Sequence, residues 1–289
     1  MREGSPSLTA LAVATARGLA THVPAAVADP DDSAVLEVLS PIARATASLL
    51  SAAGKVSPWI PRAAFGLTVG AIDHVVLRTV AIDAIMSQFV SAGGAQLVIL
   101  GAGLDMRAFR ASGLGEVDVF EVDHPATQAG KRRRVQALTP RCRQLHYVSV
   151  NFEHDDLGAC LRDSGHDAGR PTLWIWEGVV EYLPLQAVQQ TLATVASRSA
   201  KDSELAMTYI PRAAWHQRPI RVAAQAVLHA VGEPLGLQPT PAEVEVLLRD
   251  EGMALISDTD THRWHADLAQ RTHPALIVAY ERLAHARRA

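Results

Sequence analysis

The sequence predicts an α/β protein built on an open, mostly parallel sheet. Three observations carry that expectation. Leu97–Leu100 is an unbroken apolar run, the composition of a strand buried on both faces. It leads straight into Gly101-Ala102-Gly103 and then a segment of helical composition, which makes a strand–turn–helix corner. Further strand-like stretches at Val117–Asp123, Leu145–Val150, Thr172–Trp176 and Glu204–Ile210 are separated by helical ones, the order of repeated βαβ units.

A chain of 289 residues, 48% hydrophobic and 20% charged, can bury a sizeable core as one large domain. A net charge of −3 gives no footprint for nucleic acid. Cys142 and Cys160 are too few for a disulfide framework and lack metal-ligand spacing, so no metal is expected and a reducing cytoplasm is the simplest compartment. Leu8–Ala16 has the apolar character of a short signal segment, but only Arg2 precedes it and Arg17 interrupts it, so it reads as a helix. No run reaches the roughly eighteen apolar residues that span a bilayer. Nothing indicates a homo-oligomer.

Residues 1–70 are rich in Ala, Leu and Val without strand alternation, and read as an N-terminal helical cap. Ser5-Pro6 starts a helix through about Leu19, and Ser33–Leu50 reads as a second, with Asp31 and Asp32 at its positive end. Pro58 and Pro61 punctuate a loop holding Trp59 and Phe65. The apolar residues of this cap serve core packing first, with a share lining a substrate site. Residues 71–289 form the α/β domain. Its opening helix, Ala71–Ser91, puts Arg78 on one stripe with Ile82, Ile85 and Phe89, so the arginine points inward and needs an anion. A structural salt bridge and a ligand carboxylate both satisfy that need.

The glycine corner narrows the ligand. Glycine admits positive φ and close approach by a ligand, and the following helix aims free N–H groups at the same spot. A dinucleotide fingerprint requires a third glycine where Met106 stands, and no P-loop Gly-Lys-Ser/Thr follows. What remains is Gly-x-Gly plus Asp123, about twenty residues on at the end of the second strand, placed to accept ribose hydroxyls. A ribose acid without a pyrophosphate cradle suits S-adenosylmethionine. Gly-x-Gly alone is equally a tight turn.

The longer string is more specific: Leu100-Gly-Ala-Gly-Leu-Asp105-Met-Arg107, then Phe120-Glu-Val-Asp123-His124-Pro125, then Trp176-Glu177-Gly178-Val-Val-Glu-Tyr182-Leu-Pro184, with Arg78-Thr79-x-x-Ile82-Asp83 upstream. This resembles the leucine carboxyl methyltransferase-like family of S-adenosylmethionine-dependent O-methyltransferases, in particular its bacterial small-molecule branch, over roughly residues 70–210. The resemblance implies a seven-stranded, mostly parallel, Rossmann-like sheet of the methyltransferase type. It implies a cofactor set of Arg78, Gly101, Ala102, Gly103, Asp105, Asp123, His124, Asn151, Phe152, Glu177 and Gly178. In the family the residue matching Arg78 holds the carboxylate of the cofactor's methionine part. The family's Asp-Leu after the third strand is Asn151-Phe152 here. Asn151 can still accept a hydrogen bond from the adenine amino group, and Phe152 either flanks the purine or packs in the core. Glu177, at a strand's carboxyl end, faces the ligand crevice and either binds the cofactor's amino group or serves the next helix, Leu185–Ser197, entered at Pro184. Glu177-Gly-Val-Val differs from the Asn/Asp-Pro-Pro-aromatic loop of nucleic-acid amino-methylating enzymes.

Lys131–Arg134 reads as a solvated helix face. An insertion, about 211–252, holds an apolar helix at Ile220–Val231 and a helix signalled by Thr240 as N-cap, Pro241, and Glu243 completing a capping box. It is placed to act as a lid. Tyr182, Tyr209, Arg212, Trp215 and His216, with Arg218 nearby, are the candidate acceptor pocket, Tyr182 and His216 being the candidates for catalysis. Ala254–Ser257 and Leu276–Tyr280 are the expected remaining strands, and Arg282–Arg288 a solvated tail. The leading function is O-methylation of a small, apolar, fatty-acid-like carboxylic acid to a methyl ester. Alternatives are a phenol or polyketide hydroxyl acceptor, and a cofactor-binding protein without catalysis.

Overall fold

Leu97–Leu100 are all buried, as a strand covered by helices on both faces requires. The computed structural model describes residues 8–22, 32, 34–57, 71–152, 154–212, 236–268 and 281–288. Helices α1 (Leu8–His22), α2 (Val35–Val38) and α3 (Pro41–Val56) precede the long helix α4 (Ala71–Ser91), which leads into β1 (Gln96–Leu100). Then come α5 (Arg107–Arg110), β2 (Asp118–Asp123), α6 (Pro125–Val135), β3 (Gln144–Ser149), α7 (Leu157–Asp163) and β4 (Thr172–Trp176). After a 3-10 turn at Val180–Tyr182 follow α8 (Leu185–Ser197), β5 (Glu204–Tyr209), α9 (Pro241–Asp250), β6 (Met253–Asp260), α10 (Thr261–Leu268) and β7 (Arg282–Arg288).

The seven strands lie in the order β3-β2-β1-β4-β5-β7-β6. The first five run parallel, and β7 enters antiparallel between β5 and β6. Successive side chains of β1 feed opposite layers. Leu97 and Ile99 pack with Val76, Ile82 and Met86 of α4, while Val98 and Leu100 pack with Trp174, Trp176 and Leu192. The chain winds outward from β1 through β2 to β3, then crosses to β4 on the other side. That reversal opens a crevice at the carboxyl ends of β1 and β4, where open α/β sheets bind ligands.

Three expectations are corrected. The stretch 33–50 is two helices, because Pro41 sits at the first turn of α3, where its missing N–H costs nothing, and Ser40 caps that helix by accepting from the Ala43 N–H at 3.2 Å. Arg282–Arg288 is not a solvated tail but β7, an inner strand of the sheet, whereas Leu276–Tyr280 lies outside the described residues. Its Leu283, Ala284 and Ala286 are buried, and its charged residues are satisfied at the edges: Arg287 and His285 on Glu204, Arg282 on Asp258. Lys131 is not on a solvated face. It is 1% exposed and its Nζ meets Glu121 Oε2 at 2.6 Å, while Arg132, Arg133 and Arg134 are exposed.

Candidate active site

Glycine occupies both sides of the switch point because the backbone is left-handed at each, and at Gly101 a neighbour also leaves no room for a side chain. Gly101 has φ +68° and Gly178 φ +67°, in the left-handed region. A Cβ on Gly101 would lie 2.4 Å from Val179 Cγ2, so the loop after β4 closes directly over the end of β1. A Cβ on Gly178 would lie 3.8 Å from Arg78 Nη1, ordinary contact, so the guanidinium runs beneath this loop with room to spare. The helix after the glycine corner, α5, is a single turn, shorter than its composition suggested, because Ala111 turns to an extended conformation. Main-chain N–H groups are presented at the corner all the same.

Those donors converge on Asp123. The Gly103 N–H donates to its Oδ2, and the His124 N–H to its Oδ1 at 2.6 Å. Ala102 ties the corner to β2 through the Val122 carbonyl at 2.9 Å. Burial pushes the Asp123 carboxyl above its ordinary pKa, and the two main-chain donors partly oppose that. An ionised carboxylate offers about four lone-pair sites, so acceptor capacity remains for a ligand. The His124 ring accepts from the Ala126 N–H at 3.3 Å and caps α6. Beyond β3, Asn151 and Phe152 are both half-buried, the Phe152 ring packing against the core layer that holds Leu157.

The floor of the crevice is a buried ionic cluster. Arg78, 6% exposed, donates from Nε to Glu177 at 2.9 Å and from Nη1 to Glu281 at 2.6 Å. Arg107, fully buried, donates to Asp83 at 2.7 Å, to Glu177 at 2.9 Å and to Asp105. Arg110 reaches Asp83 at 2.6 Å, and Arg17 of α1 pairs with Asp32 at 3.0 Å and donates to the Leu104 carbonyl at 2.8 Å. Glu177 therefore bridges two arginines. Burial alone would raise its pKa, but Arg107 and Arg78 outweigh it and hold the carboxyl below the ordinary range; Asp105 behaves likewise beside Arg107. Among the described residues, Arg107 Nη2, Glu181 Oε2 and Glu281 Oε1 are buried without a hydrogen-bond partner.

The structure thus gathers Arg78, Gly101, Gly103, Asp105, Asp123, Glu177 and Gly178 around one crevice. The acceptor candidates are more dispersed. Tyr182 is half-buried in the turn after Gly178. The Tyr209 hydroxyl donates to Asp258 Oδ2 at 2.6 Å, and Arg212 is exposed, 3.8 Å from Glu243. Trp215, His216 and Arg218 lie outside the described residues. Asp83 and Arg107 stood in the quoted motifs without a role, and Glu181 and Glu281 were given none. The only signal for them was charge set among apolar residues. Among the described residues no group of three or more His, Cys, Asp or Glu could hold a metal ion, and no helix is long and apolar enough to cross a membrane.

A family model described as leucine carboxyl methyltransferase matches residues 10–196. A Streptomyces coelicolor protein with a provisional name as an S-adenosyl-L-methionine-dependent methyltransferase is 39% identical over 213 residues, 71% of this chain and 66% of its own length. A Frankia alni protein of the same provisional description is 38% identical over 136 residues, 46% of this chain and 47% of its own. These matches span less than two thirds of either relative. Of solved structures, a DUF574 family protein from Streptomyces avermitilis aligns with TM-score 0.58 at 18% identity, over 95% of this chain and 97% of that one. A Thermobifida fusca protein provisionally described as a methyltransferase aligns with TM-score 0.56 at 16% identity, over 94% and 97%. Both share the fold.

Proposed function

The chain belongs to the leucine carboxyl methyltransferase family, whose model matches residues 10–196, and from that premise we propose that it methylates an oxygen of a small, apolar carboxylic acid. S-adenosylmethionine is the methyl donor, supplying an electrophilic methyl carbon on a sulfonium. The residues of the crevice fit such a zwitterionic, cationic ligand. Asp123 retains acceptor capacity for ribose hydroxyls, and Arg78 beneath Gly178 is reachable by the methionine carboxylate. Glu177 offers the matching anion for the amino group. Helix α1 lies against the glycine corner, where Arg17 donates to the Leu104 carbonyl, and alignment with exclusion of water is most of what in-line methyl transfer asks of a protein. An open, mainly apolar groove of about 390 Å³ lies between α1 and the start of α4, lined by Leu11, Ala12, Thr15, Ala16, Leu19 and Ile72, and none of the crevice residues named above belongs to it. The setting is cytoplasmic.

One observation carries the choice of a carboxylic acid. Glu177, the carboxylate at the end of β4, is taken up by Arg78 and Arg107 and held below the ordinary carboxylate range, so it is a poor base. A carboxylic acid needs none, being ionised at neutral pH with a reference pKa near 4. A phenol, with a pKa near 10, needs a base within hydrogen-bond reach. Single-turnover transfer to saturating acceptor should therefore vary little from about pH 6.5 to 9, with a product that mild alkali hydrolyses. A rate climbing about tenfold per pH unit, an alkali-stable product and loss of activity in His216→Ala would favour the hydroxyl reading instead.

A further inference from the structure

We propose that Glu181 discriminates the cationic cofactor from its neutral demethylated product: it gives up a proton when S-adenosylmethionine binds and keeps it when S-adenosylhomocysteine binds. The inference rests on the cofactor reading above and is independent of which acceptor is methylated.

Glu181 sits in the 3-10 turn that directly follows Glu177-Gly178. Its backbone is fixed there: the Tyr182 N–H donates to the Val179 carbonyl at 3.0 Å, and the Gly236 N–H donates to the Glu181 carbonyl at 2.6 Å. The residue is 3% exposed, and its Oε2 has no hydrogen-bond partner among the described residues. A buried polar atom left in this condition is costly unless a ligand or a proton answers it. The charged groups that bear on it come from three elements. Arg78 comes from α4, Glu177 from the end of β4, and Glu281 from the residue before β7. His74 of α4 lies behind Glu281, with Nε2 at 3.0 Å from its carboxylate, and Nδ1 on Thr261 of α10 at 2.7 Å. Arg107 and Asp105 lie behind Glu177.

Charge on these neighbours explains why the proton stays. Arg78 is already shared between two carboxylates, Glu177 and Glu281. A third carboxylate beside them would face a local excess of negative charge at a position almost closed to solvent. Burial, with Glu281 next to it, pushes Glu181 up to about 8, so it is neutral near pH 7. Burial works against Glu281 too, but Arg78 and His74 keep that carboxyl low. The sulfonium supplies the missing positive charge. An opposite charge within about 4–6 Å lowers a carboxyl pKa by roughly one to three units, which ionises Glu181 at neutral pH. The thioether of the product carries no charge and leaves the proton where it is. A carboxylate held ionised by a neighbouring cation is a weak base, so Glu181 does not supply the base that a phenol would need.

Calorimetric titration of the whole protein at pH 7, in phosphate and in Tris, reads the proton directly from the difference in apparent enthalpy. The expected result is release of roughly half to one proton with S-adenosylmethionine and none with S-adenosylhomocysteine. Near pH 7 the ratio of the two affinities should shift toward the cation by about three- to eightfold per unit rise in pH. Glu181→Gln should abolish both effects and weaken S-adenosylmethionine more than the product. The ligand's own amino group cannot mimic the effect, since a carboxylate-bound ammonium takes protons up. Equal proton release with both ligands in the wild type would overturn the inference even if Glu181→Gln failed to fold. So would undiminished release in Glu181→Gln. Binding of neither ligand would remove the cofactor reading along with it.

Discussion

Arg78 shows how much one side chain is asked to do. Its guanidinium spans Glu177 and Glu281 at 2.9 and 2.6 Å while running beneath Gly178, where the proposed cofactor carboxylate would meet it. A planar fork with five donors can serve two carboxylates and still offer an edge, whereas a lysine is a point charge. Arg78→Lys should therefore lower the melting temperature and cost about 1–3 kcal/mol of S-adenosylmethionine affinity, the scale of hydrogen bonds to charged groups. Adenosine lacks the methionine carboxylate, so its affinity should barely change. Titrating both ligands separates the roles: equal losses would make Arg78 purely a structural tie. Gly101→Val is the less informative variant, because its side chain would strike Val179 as well as intrude on the ligand's approach.

At the scale of elements, helix α9 is held by local signals and β7 by distant ones. The Thr240 hydroxyl accepts from the Glu243 N–H at 3.3 Å, and Glu243 returns to the Thr240 N–H at 2.7 Å, a complete capping box. Thr240→Ala should destabilise the protein by about 1 kcal/mol. Because α9 packs on β6 at the far edge of the sheet, cofactor affinity should stay unchanged, so a calorimetric loss of binding alongside the drop in melting temperature would mean that α9 also shapes the crevice. The antiparallel pair β7 and β6 also brings Glu281, the residue before β7, up to Arg78 and His74. An inner strand that reads in sequence as a basic tail is thus part of the site's electrostatics.

Over the whole molecule, buried carboxyls of two kinds set the pH dependence of stability. Glu121 is pushed up to about 7 by burial despite its pair with Lys131, and Glu181 to about 8. Between the unfolded carboxylate range and these values the folded state holds protons that the unfolded chain has released, so stability falls as pH rises through that window. Glu177, Asp105 and Glu281 are held low, so their contribution is present above the ordinary carboxylate range and is lost as pH falls below about 4. Ligand-free protein should be most stable near pH 5–6 and lose several degrees of melting temperature by pH 8. Thermal unfolding across that range checks it, and Glu121→Gln with Glu181→Gln should flatten the alkaline side. A melting temperature that rises from pH 5 to 8 would contradict the assignment of protons to these two groups.

What the sequence by itself determined were the features written in adjacent residues. The apolar run into Gly101-Ala-Gly103 makes a central strand and its turn, because burial on both faces and positive φ are local demands. The spacing to Asp123 and Glu177 puts carboxylates at the ends of β2 and β4, and Thr240-Pro-Ala-Glu243 starts a helix. Only the tertiary structure decided which charges answer each other. Arg78 meets Glu177 and Glu281 across 99 and 203 residues of chain, and Lys131 in a basic run turns inward to Glu121. Arg282–Arg288 becomes an inner strand because Glu204 and Asp258, supplied by β5 and β6, satisfy its charges while Leu283, Ala284 and Ala286 enter the core. A charged residue's local pattern is the same whether it faces water or a buried partner, and the difference lies in desolvation and pairing, which exist only once distant strands have met.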